Sequence, residues 1–257
     1  MLMVISPAKK LDMQTKSVVE GLESPQFLQQ SVHLIKYLKK LSPSQISELM
    51  GISDKLAQLN VARFAQWHTP FTSENAKAAI LTFSGDVYQG IDAVTLKKSE
   101  INYLQQHLRI LSGLYGILRP LDLMQPYRLE MGRKIAIGKD KDLYAFWHEK
   151  LTANINQLLD QQKNPVLVNL ASNEYFKALD KKRINGSIVT PAFKDWKNGQ
   201  YKMISFFAKK ARGNMVRFAA ENKIKRVEDL KHFDRDGYSF NEKLSGDTNW
   251  VFTRKQS

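Results

Sequence analysis

Short apolar runs alternate along the chain with longer segments of helical periodicity. The runs are rich in Val, Ile, Phe and Tyr, and turn residues bound several of them, which predicts β-strands. The first run is apolar throughout and predicts a buried strand. The predicted strands cover Leu2–Ile5, Ile80–Phe83, Val166–Leu170, Ser187–Phe193, Tyr201–Phe207 and Trp250–Thr253.

Apolar side chains recur every three or four residues in three segments, which predicts helices that each bury one face. The stripes are Leu28, Val32, Ile35 and Leu38; Ile101, Leu104, Leu108 and Leu111; and Leu151, Ile155, Leu158 and Leu159. Gly113 follows the second stripe as a candidate C-cap. No linker or repeat divides the chain. The sequence therefore predicts an α/β (mixed α+β) fold, with one compact domain over residues 1–257 and a mixed sheet flanked by helices.

A well-formed helix start lies at Ser42. Serine is a favoured N-cap, Pro43 fits the first helical position, and Gln45 completes a capping box. The short helix that follows ends at Gly51, and Ser53 is expected to cap a second helix. The apolar stripe of that second helix is Ala57, Val61, Phe64 and Ala65.

The connection between these two helices, within residues 42–67, is similar to the helix-hairpin-helix motif of DNA-repair proteins. In that motif, hairpin amides and a helix N-terminus face a phosphate, and a nearby cation adds charge. Gly51 and Ala57 match the pattern, and Lys55 supplies the cation. Ser53 replaces the second glycine of the motif, and Asp54 adds a negative charge. An ordinary tight connection between two helices is equally consistent with these residues.

The net charge of +14 and the sequence pI near 9.7 favour a polyanionic partner. The charge is concentrated, because residues 181–226 contain thirteen Lys and Arg residues against two acidic ones. Within this basic segment, residues 208–218 predict a helix. Its Gly213 is either a tolerated helical glycine or a point where a backbone or a phosphate approaches closely. The cations of this helix are Lys209, Lys210, Arg212 and Arg217.

Several classes of chemistry lack the residues they need. The chain has no cysteine, which removes disulfides, thiolate catalysis, iron–sulfur clusters and thiol redox sensing. Its five histidines are not spaced three or four residues apart, so helical metal-ligand pairs are absent. No phosphate-binding glycine loop or nucleophile elbow occurs. We therefore predict no cofactor, no metal site and no catalytic residue.

No signal peptide or membrane span is predicted. The apolar start of the chain has no basic region before it, and no run approaches the roughly 20 apolar residues that span a bilayer. With the lack of cysteine, this favours the cytoplasm, with no membrane partner and no obligate protein partner.

Polar clusters follow some of the predicted strands and identify a candidate anion or ligand site. Lys9 and Lys10 come just after the first strand, where sites in α/β sheets are common. Arg119 and Arg128 either clamp an anion or pair with Asp122 and Glu130. The candidate residues of this site are Ser6, Arg109, Arg119, Arg128, Asn169, Ser172 and Glu174.

Several segments together resemble the YaaA family of bacterial peroxide-stress proteins. They are Ser6–Asp12, Phe83–Tyr88, Leu108–Gly132, Asn169–Tyr175 and Ser205–Gly213. The resemblance spans nearly the whole chain, and only small departures occur, such as Lys10 and Asn173. It implies a cytoplasmic protein that helps cells resist hydrogen peroxide and keeps free iron low. It also implies a single α/β domain with a positively charged cleft and a helix-hairpin-helix that binds duplex DNA.

The residues and the resemblance lead to one main hypothesis, a stress protein that binds double-stranded DNA with little sequence specificity. The expected DNA contacts are Lys9, Lys10, Gly51, Ser53, Lys55, Lys209, Lys210, Arg212 and Arg217. The alternative is an enzyme acting on a phosphorylated or nucleotide-like small molecule in the same cleft, with Asp12, Asp86 or Glu174 as acid or base. An iron or anion chaperone is a third, weaker interpretation.

Overall fold

The first strand of the chain lies in the middle of an eight-stranded sheet in the computed structural model, which describes residues 1–15 and 19–255. Two further pairs of short strands lie outside this sheet. The strands are β1 (Leu2–Ile5), β2 (Lys10–Leu11), β3 (Lys77–Ala78), β4 (Phe83–Ser84), β5 (Leu108–Ser112), β6 (Gly116–Leu118), β7 (Leu123–Met124), β8 (Val166–Leu170), β9 (Ser187–Lys197), β10 (Gln200–Lys202), β11 (Ser239–Phe240) and β12 (Asn249–Arg254).

Helices pack against this sheet and against each other. The α-helices are α1 (Leu28–Leu38), α2 (Pro43–Met50), α3 (Asp54–Gln66), α4 (Ala79–Thr82), α5 (Asp86–Ile91), α6 (Lys98–His107), α7 (Leu143–Leu159), α8 (Asn173–Phe176) and α9 (Ser205–Glu221). Short 3₁₀ helices cover Ala93–Thr95, Lys181–Arg183, Val227–His232, Arg235–Gly237 and Glu242–Leu244. The mixed α/β fold with helices on a large mixed sheet, predicted from the sequence, is confirmed.

The strand order in the large sheet is β11-β12-β9-β8-β1-β5-β6, with β10 paired to β9. The five inner strands, from β12 to β5, are mutually parallel, and β10, β11 and β6 add antiparallel pairs at the margins. Every residue of β1 and β5 is buried, because these strands are covered on both faces. Because β1, β5 and β8 are parallel, their carboxyl ends meet at one edge of the sheet.

The strands predicted at Leu2–Ile5, Val166–Leu170 and Trp250–Thr253 are confirmed, and the one at Ser187–Phe193 extends to Lys197. Two strand predictions are wrong. The segment Ile80–Phe83 lies mostly in the four-residue helix α4. Tyr201–Phe207 splits between β10 and the start of α9. The first segment is mostly buried, and a short apolar run does not distinguish a strand from a buried helical turn. Residues 201–207 are half-buried or exposed, so their apolar side chains do not mark a buried strand.

The second predicted helical stripe is also wrong in part. Helix α6 ends at His107, and Leu108 and Leu111 belong to strand β5. Gly113 therefore follows a strand and is not a helix C-cap. A strand buried on both faces has no polar alternation, so its leucines continued the helical spacing by chance. The helices predicted around the first and third stripes are confirmed as α1 and α7.

Candidate functional site

A cavity of about 500 Å³ opens at the edge of the sheet where β1 and β8 end. The loops that follow these two parallel strands are joined directly, because the Ser172 backbone N–H donates to Ser6 Oγ over 2.8 Å. Tyr88 reaches the same loop from α5 and donates its hydroxyl to the Ser6 carbonyl over 3.0 Å. The cavity thus lies where binding sites of parallel sheets are usually found.

Two glycines bring helix α9 against α5 and so place its cations beside the cavity. A Cβ on Gly213 would overlap the Val87 carbonyl oxygen, and one on Gly90 would overlap the Lys210 carbonyl oxygen. The close approach foreseen at Gly213 is therefore made by the backbone of α5. Because Lys209 and Arg212 are three residues apart on α9, they share the helix face that lines the cavity.

Three cations that line the cavity have no partner among the described residues. In the part of the chain that the structure describes, no carboxylate or carbonyl accepts a hydrogen bond or an ion pair from Lys10, Lys209 or Arg212. Lys10 and Lys209 are exposed at the mouth, whereas Arg212 is partly buried in the wall. Burial lowers the pKa of Arg212, and no acid counters this effect. The free cations make the cavity a candidate site for an anion.

Glu130 is held as a carboxylate by the cations around it. Arg128 Nη2 lies 2.9 Å from its Oε1, and Lys9 Nζ and Arg133 Nε approach within 3.5 and 3.6 Å. Burial favours the neutral form of Glu130, but Arg128 and Arg133 outweigh it and keep its pKa below the usual value. Arg128 therefore pairs with Glu130, as one of the two alternatives from the sequence proposed, and it also lines the cavity.

Two more carboxylates, Glu174 and Asp86, line the cavity. Glu174 Oε1 accepts the Gly132 backbone N–H over 3.0 Å, which ties the loop after β8 to the loop after Glu130. Asp86 begins α5, and its carboxylate accepts no hydrogen bond from any residue in 1–15 or 19–255. The lining therefore combines free cations with carboxylates that retain acceptor capacity.

Three tyrosines complete the wall of the cavity: Tyr88, Tyr127 and Tyr175. Burial raises the pKa of each hydroxyl above its usual value, so all three are neutral at physiological pH. The Tyr127 hydroxyl lies 2.6 Å from Ser112 Oγ, and that of Tyr88 is donated to Ser6. The tyrosines therefore contribute ring surface more than free hydroxyl groups.

The turn between α2 and α3 lies beside the cavity. Gly51 ends α2 in the left-handed region, at φ 58°, and Arg133 Nη1 lies 3.5 Å from where its Cβ would be. The predicted capping box of α2 is present, with Ser42 Oγ accepting from Gln45 and the Gln45 side chain accepting from Ser42. Ser53 is the N-cap of α3, but its hydroxyl makes no capping bond, contrary to expectation. The first N–H groups of α3 therefore have no side-chain cap.

Lys55 lies in the first turn of α3 and is exposed. Arg133 connects this turn to the cavity, since it contacts Gly51 on one side and Glu130 on the other. Arg133 thus links the turn to a residue that lines the cavity.

Five of the sequence candidates lie outside the cavity and are engaged by other parts of the protein. Arg109 is buried and donates to the Leu108 and Gln105 carbonyls, and burial lowers its pKa to about 10. Arg119 forms ion pairs with Asp122 and Glu23. Pairing with Asp122 was the alternative to anion binding that the sequence left open. Each of the others also has a partner: Asn169 with the Ala171 N–H, Lys210 with Asp236, and Arg217 with Glu221 and Thr95.

The three tyrosines and Arg133 were not predicted as site residues from the sequence. Tyr88 and Tyr127 line the cavity and lie within the segments that carry the family resemblance. That resemblance was the available signal, but it indicated the family and its fold and did not single out these two residues. Asp12, one acid–base candidate, lies outside the cavity lining and caps its own loop, accepting from the backbone of Gln14 and Thr15. In residues 1–15 and 19–255, no group of three or more His, Asp or Glu side chains is arranged to hold a metal ion.

The family model described as peroxide stress protein YaaA matches residues 1–244. The chain belongs to this family. A UPF0246 protein of Colwellia psychrerythraea is 56% identical over 257 residues, and one of Azoarcus is 54% identical over 260, each alignment covering all of both chains. A third, from Aliivibrio fischeri, is 55% identical over 256 residues, with 100% of this chain and 99% of the relative covered.

Membership of the YaaA family confirms the predicted resemblance and assigns the chain to the peroxide stress response. No helix among the described residues is both long and apolar enough to cross a bilayer. The YaaA match covers every element that builds the cavity, from β1 to α9.

Proposed function

We propose that this YaaA family member binds duplex DNA, and that this contact is how it serves the peroxide stress response. The observation that carries the proposal is a set of three cations without a partner among the described residues, Lys10 and Lys209 at the mouth and Arg212 in the wall. Cations without a protein partner are available to neutralise phosphates, and the counterions that DNA releases supply much of the affinity.

The turn after α2 offers a second phosphate contact on the same surface. A phosphate can approach the uncapped N–H groups of α3 because Gly51 has no side chain, and Lys55 adds a charge there. The bridge from Gly51 through Arg133 and Glu130 to Lys9 places this turn next to the cavity. Phosphate contacts position a protein without reading bases, so we expect little sequence specificity.

The residues of the chain favour protection of DNA over direct consumption of peroxide. Cysteine is absent, and thiol-based reduction of peroxide requires it. A basic surface that covers DNA needs no such group. In this proposal the protein acts in the peroxide stress response by binding DNA.

The test is fluorescence anisotropy of a labelled duplex with charge-reversal variants. Lys10→Glu/Lys209→Glu removes two unpartnered cations from the mouth, and we expect at least about a tenfold loss of affinity at moderate salt. The matched control is Lys163→Glu/Lys225→Glu, which changes the net charge equally.

Both control residues are exposed and lie at the opposite edge of the sheet. Lys163 precedes the start of β8, and Lys225 follows Ile224, whose carbonyl accepts from Tyr103 near the start of β5. A loss of affinity that is equal in both double variants would mean that only net charge matters, and would contradict the proposal.

A second pair of variants tests the turn. Gly51→Asn keeps a residue that tolerates positive φ but fills the space that a phosphate needs. We expect about fivefold weaker binding. Gly21→Asn is the control, because Gly21 is an exposed glycine with φ 77° that packs near Leu121 and lines no part of the cavity. Equal affinity of the Gly51 variant and wild type would remove the turn from the interface.

A further inference from the structure

Binding to the phosphates of a paired duplex does not account for the depth of the cavity. Phosphates lie on the outside of the helix, and a flat or grooved cationic surface is enough to contact them. The cavity instead has a volume of about 500 Å³ and extends to the rings of Tyr88, Tyr127 and Tyr175. This volume lies in the range of roughly 300 to 1,000 Å³ typical of sites for small molecules.

Arg212 indicates that a ligand of this cavity carries an anionic group. Its guanidinium is partly buried in the wall and has no acceptor among the described residues. Taking a cation out of water without a partner is unfavourable, and an anion bound in the cavity would remove this cost. Lys209 lies on the same face of α9, one turn earlier, and its ammonium is exposed at the mouth. The two residues can hold one phosphate between them.

Asp86 and Glu174 indicate that the ligand also carries hydrogen-bond donors. A site for a simple polyanion would exclude carboxylates, because they repel it. Asp86 has no donor within the described residues, and Glu174 uses one oxygen for the Gly132 N–H. The ligand must therefore offer N–H or O–H donors as well as negative charge.

The tyrosines favour a ligand that contains a planar ring. Aromatic side chains stack on nucleobases of any sequence, because every base has a π face. Tyr88 and Tyr127 have their hydroxyls engaged with Ser6 and Ser112, and both residues, although only 6% and 5% exposed, line the cavity. A nucleotide combines a phosphate, a planar base, and amino or hydroxyl donors.

We propose that the cavity binds one nucleoside monophosphate unit. The phosphate contacts Arg212 and Lys209, the base packs on the tyrosine wall, and its polar edge or sugar donates to Asp86 and Glu174. The unit comes either from a free nucleotide or from an unpaired nucleotide turned out of DNA. The second source rests on the proposed function, since it requires the protein to bind DNA at the mouth.

The first arm of the test is calorimetry with deoxynucleoside 5′-monophosphates, inorganic phosphate and deoxyadenosine as separate probes. We expect at least one monophosphate to bind at least tenfold tighter than phosphate or the nucleoside alone. Arg212→Gln and Asp86→Asn should each weaken it about tenfold. Arg226→Gln is the control, because Arg226 is exposed, pairs with Asp229 and lies beyond the end of α9. Thermal unfolding of each variant confirms that it is folded.

The second arm compares a fully paired duplex with the same duplex carrying one bulged nucleotide. If the unit comes from DNA, wild type prefers the bulge at least fivefold, and Asp86→Asn abolishes the preference without weakening the paired duplex. If monophosphates bind but the bulge is not preferred, the source is a free nucleotide.

The two arms separate the inference from the proposed function. Binding of the paired duplex with neither monophosphate binding nor a bulge preference overturns the nucleotide site and leaves the DNA surface standing. Monophosphate binding without any duplex binding supports the cavity and overturns the DNA surface. Equal monophosphate affinity in wild type and Arg212→Gln overturns the inference, because the phosphate would then lie elsewhere.

Discussion

Charged residues of the same type have different roles in this protein according to what surrounds them. Arg119 and Arg212 read alike in the sequence, but Arg119 faces the buried carboxylate of Asp122, whereas Arg212 faces the cavity. Ser6, Ser172 and Arg212 were all candidates from the sequence, and all three line the cavity, because strand ends and a basic helix are visible locally. It did not distinguish Arg109 or Arg119, because burial and ion pairing depend on residues distant in the chain.

The buried Asp122 gives a prediction on pH. Burial raises the pKa of Asp122 to about 6, although Arg119 stabilises the charged form. The folded-state pKa lies above the unfolded value of about 3.9, so the carboxyl stabilises the fold fully below about pH 4 and loses this contribution as the pH rises to about 6. We expect the free energy of unfolding of wild type, relative to Asp122→Asn, to fall by about 2 to 3 kcal/mol across this window.

Chemical denaturation of both proteins at intervals from about pH 4 to pH 7 measures this difference. The difference should level off above about pH 6, where the carboxyl is ionised in both states. A difference that grows with pH would show that Arg119 holds the Asp122 pKa below its usual value instead.

Helices α5 and α9 touch backbone to backbone, and this contact sets the position of the cavity wall. Gly213→Ala adds a methyl group that would overlap the Val87 carbonyl oxygen. Alanine is the better helix former by about 1 kcal/mol, but forcing the helices apart costs more. We expect a net loss of at least about 2 kcal/mol in the free energy of unfolding.

Gly246→Ala is the matched control, since a Cβ there has no neighbour within 4 Å. It should change stability by less than about 0.5 kcal/mol. Urea unfolding of both variants measures the effect. A neutral or stabilising Gly213→Ala would mean that the α5–α9 contact is looser than described.

At the level of elements, apolar periodicity predicted helices α1 and α7 correctly, whereas local capping signals predicted where a helix begins and ends. The capping box at Ser42 and the C-cap at Gly51 are both present, because the partners are close in sequence. The assignment of Leu108–Leu111 to a helix failed, because a strand buried on both faces shows no alternation. The second helix of the turn was foreseen, but the missing cap at Ser53 was not.

The positive charge of the whole molecule is not spread evenly over its surface. The basic segment 181–226 supplies Lys209 and Arg212 to the cavity, but it also carries Lys225 to the opposite edge of the sheet. Sequence alone gives the total charge and its density along the chain. The parallel strand order decides which cations share a surface, and the hydrophobic pattern of the sequence does not determine that order.

Counting the phosphates that the protein neutralises tests the central claim, DNA binding at the cavity mouth, most directly. The measurement is the duplex dissociation constant across a salt series. Contacts from Lys9, Lys10, Lys55, Lys209 and Arg212 predict a slope of log K against log salt of about −4 to −5. Lys10→Gln/Lys209→Gln should make the slope shallower by about 2. Lys163→Gln/Lys225→Gln should leave it unchanged; equal slopes in all three proteins would contradict the account.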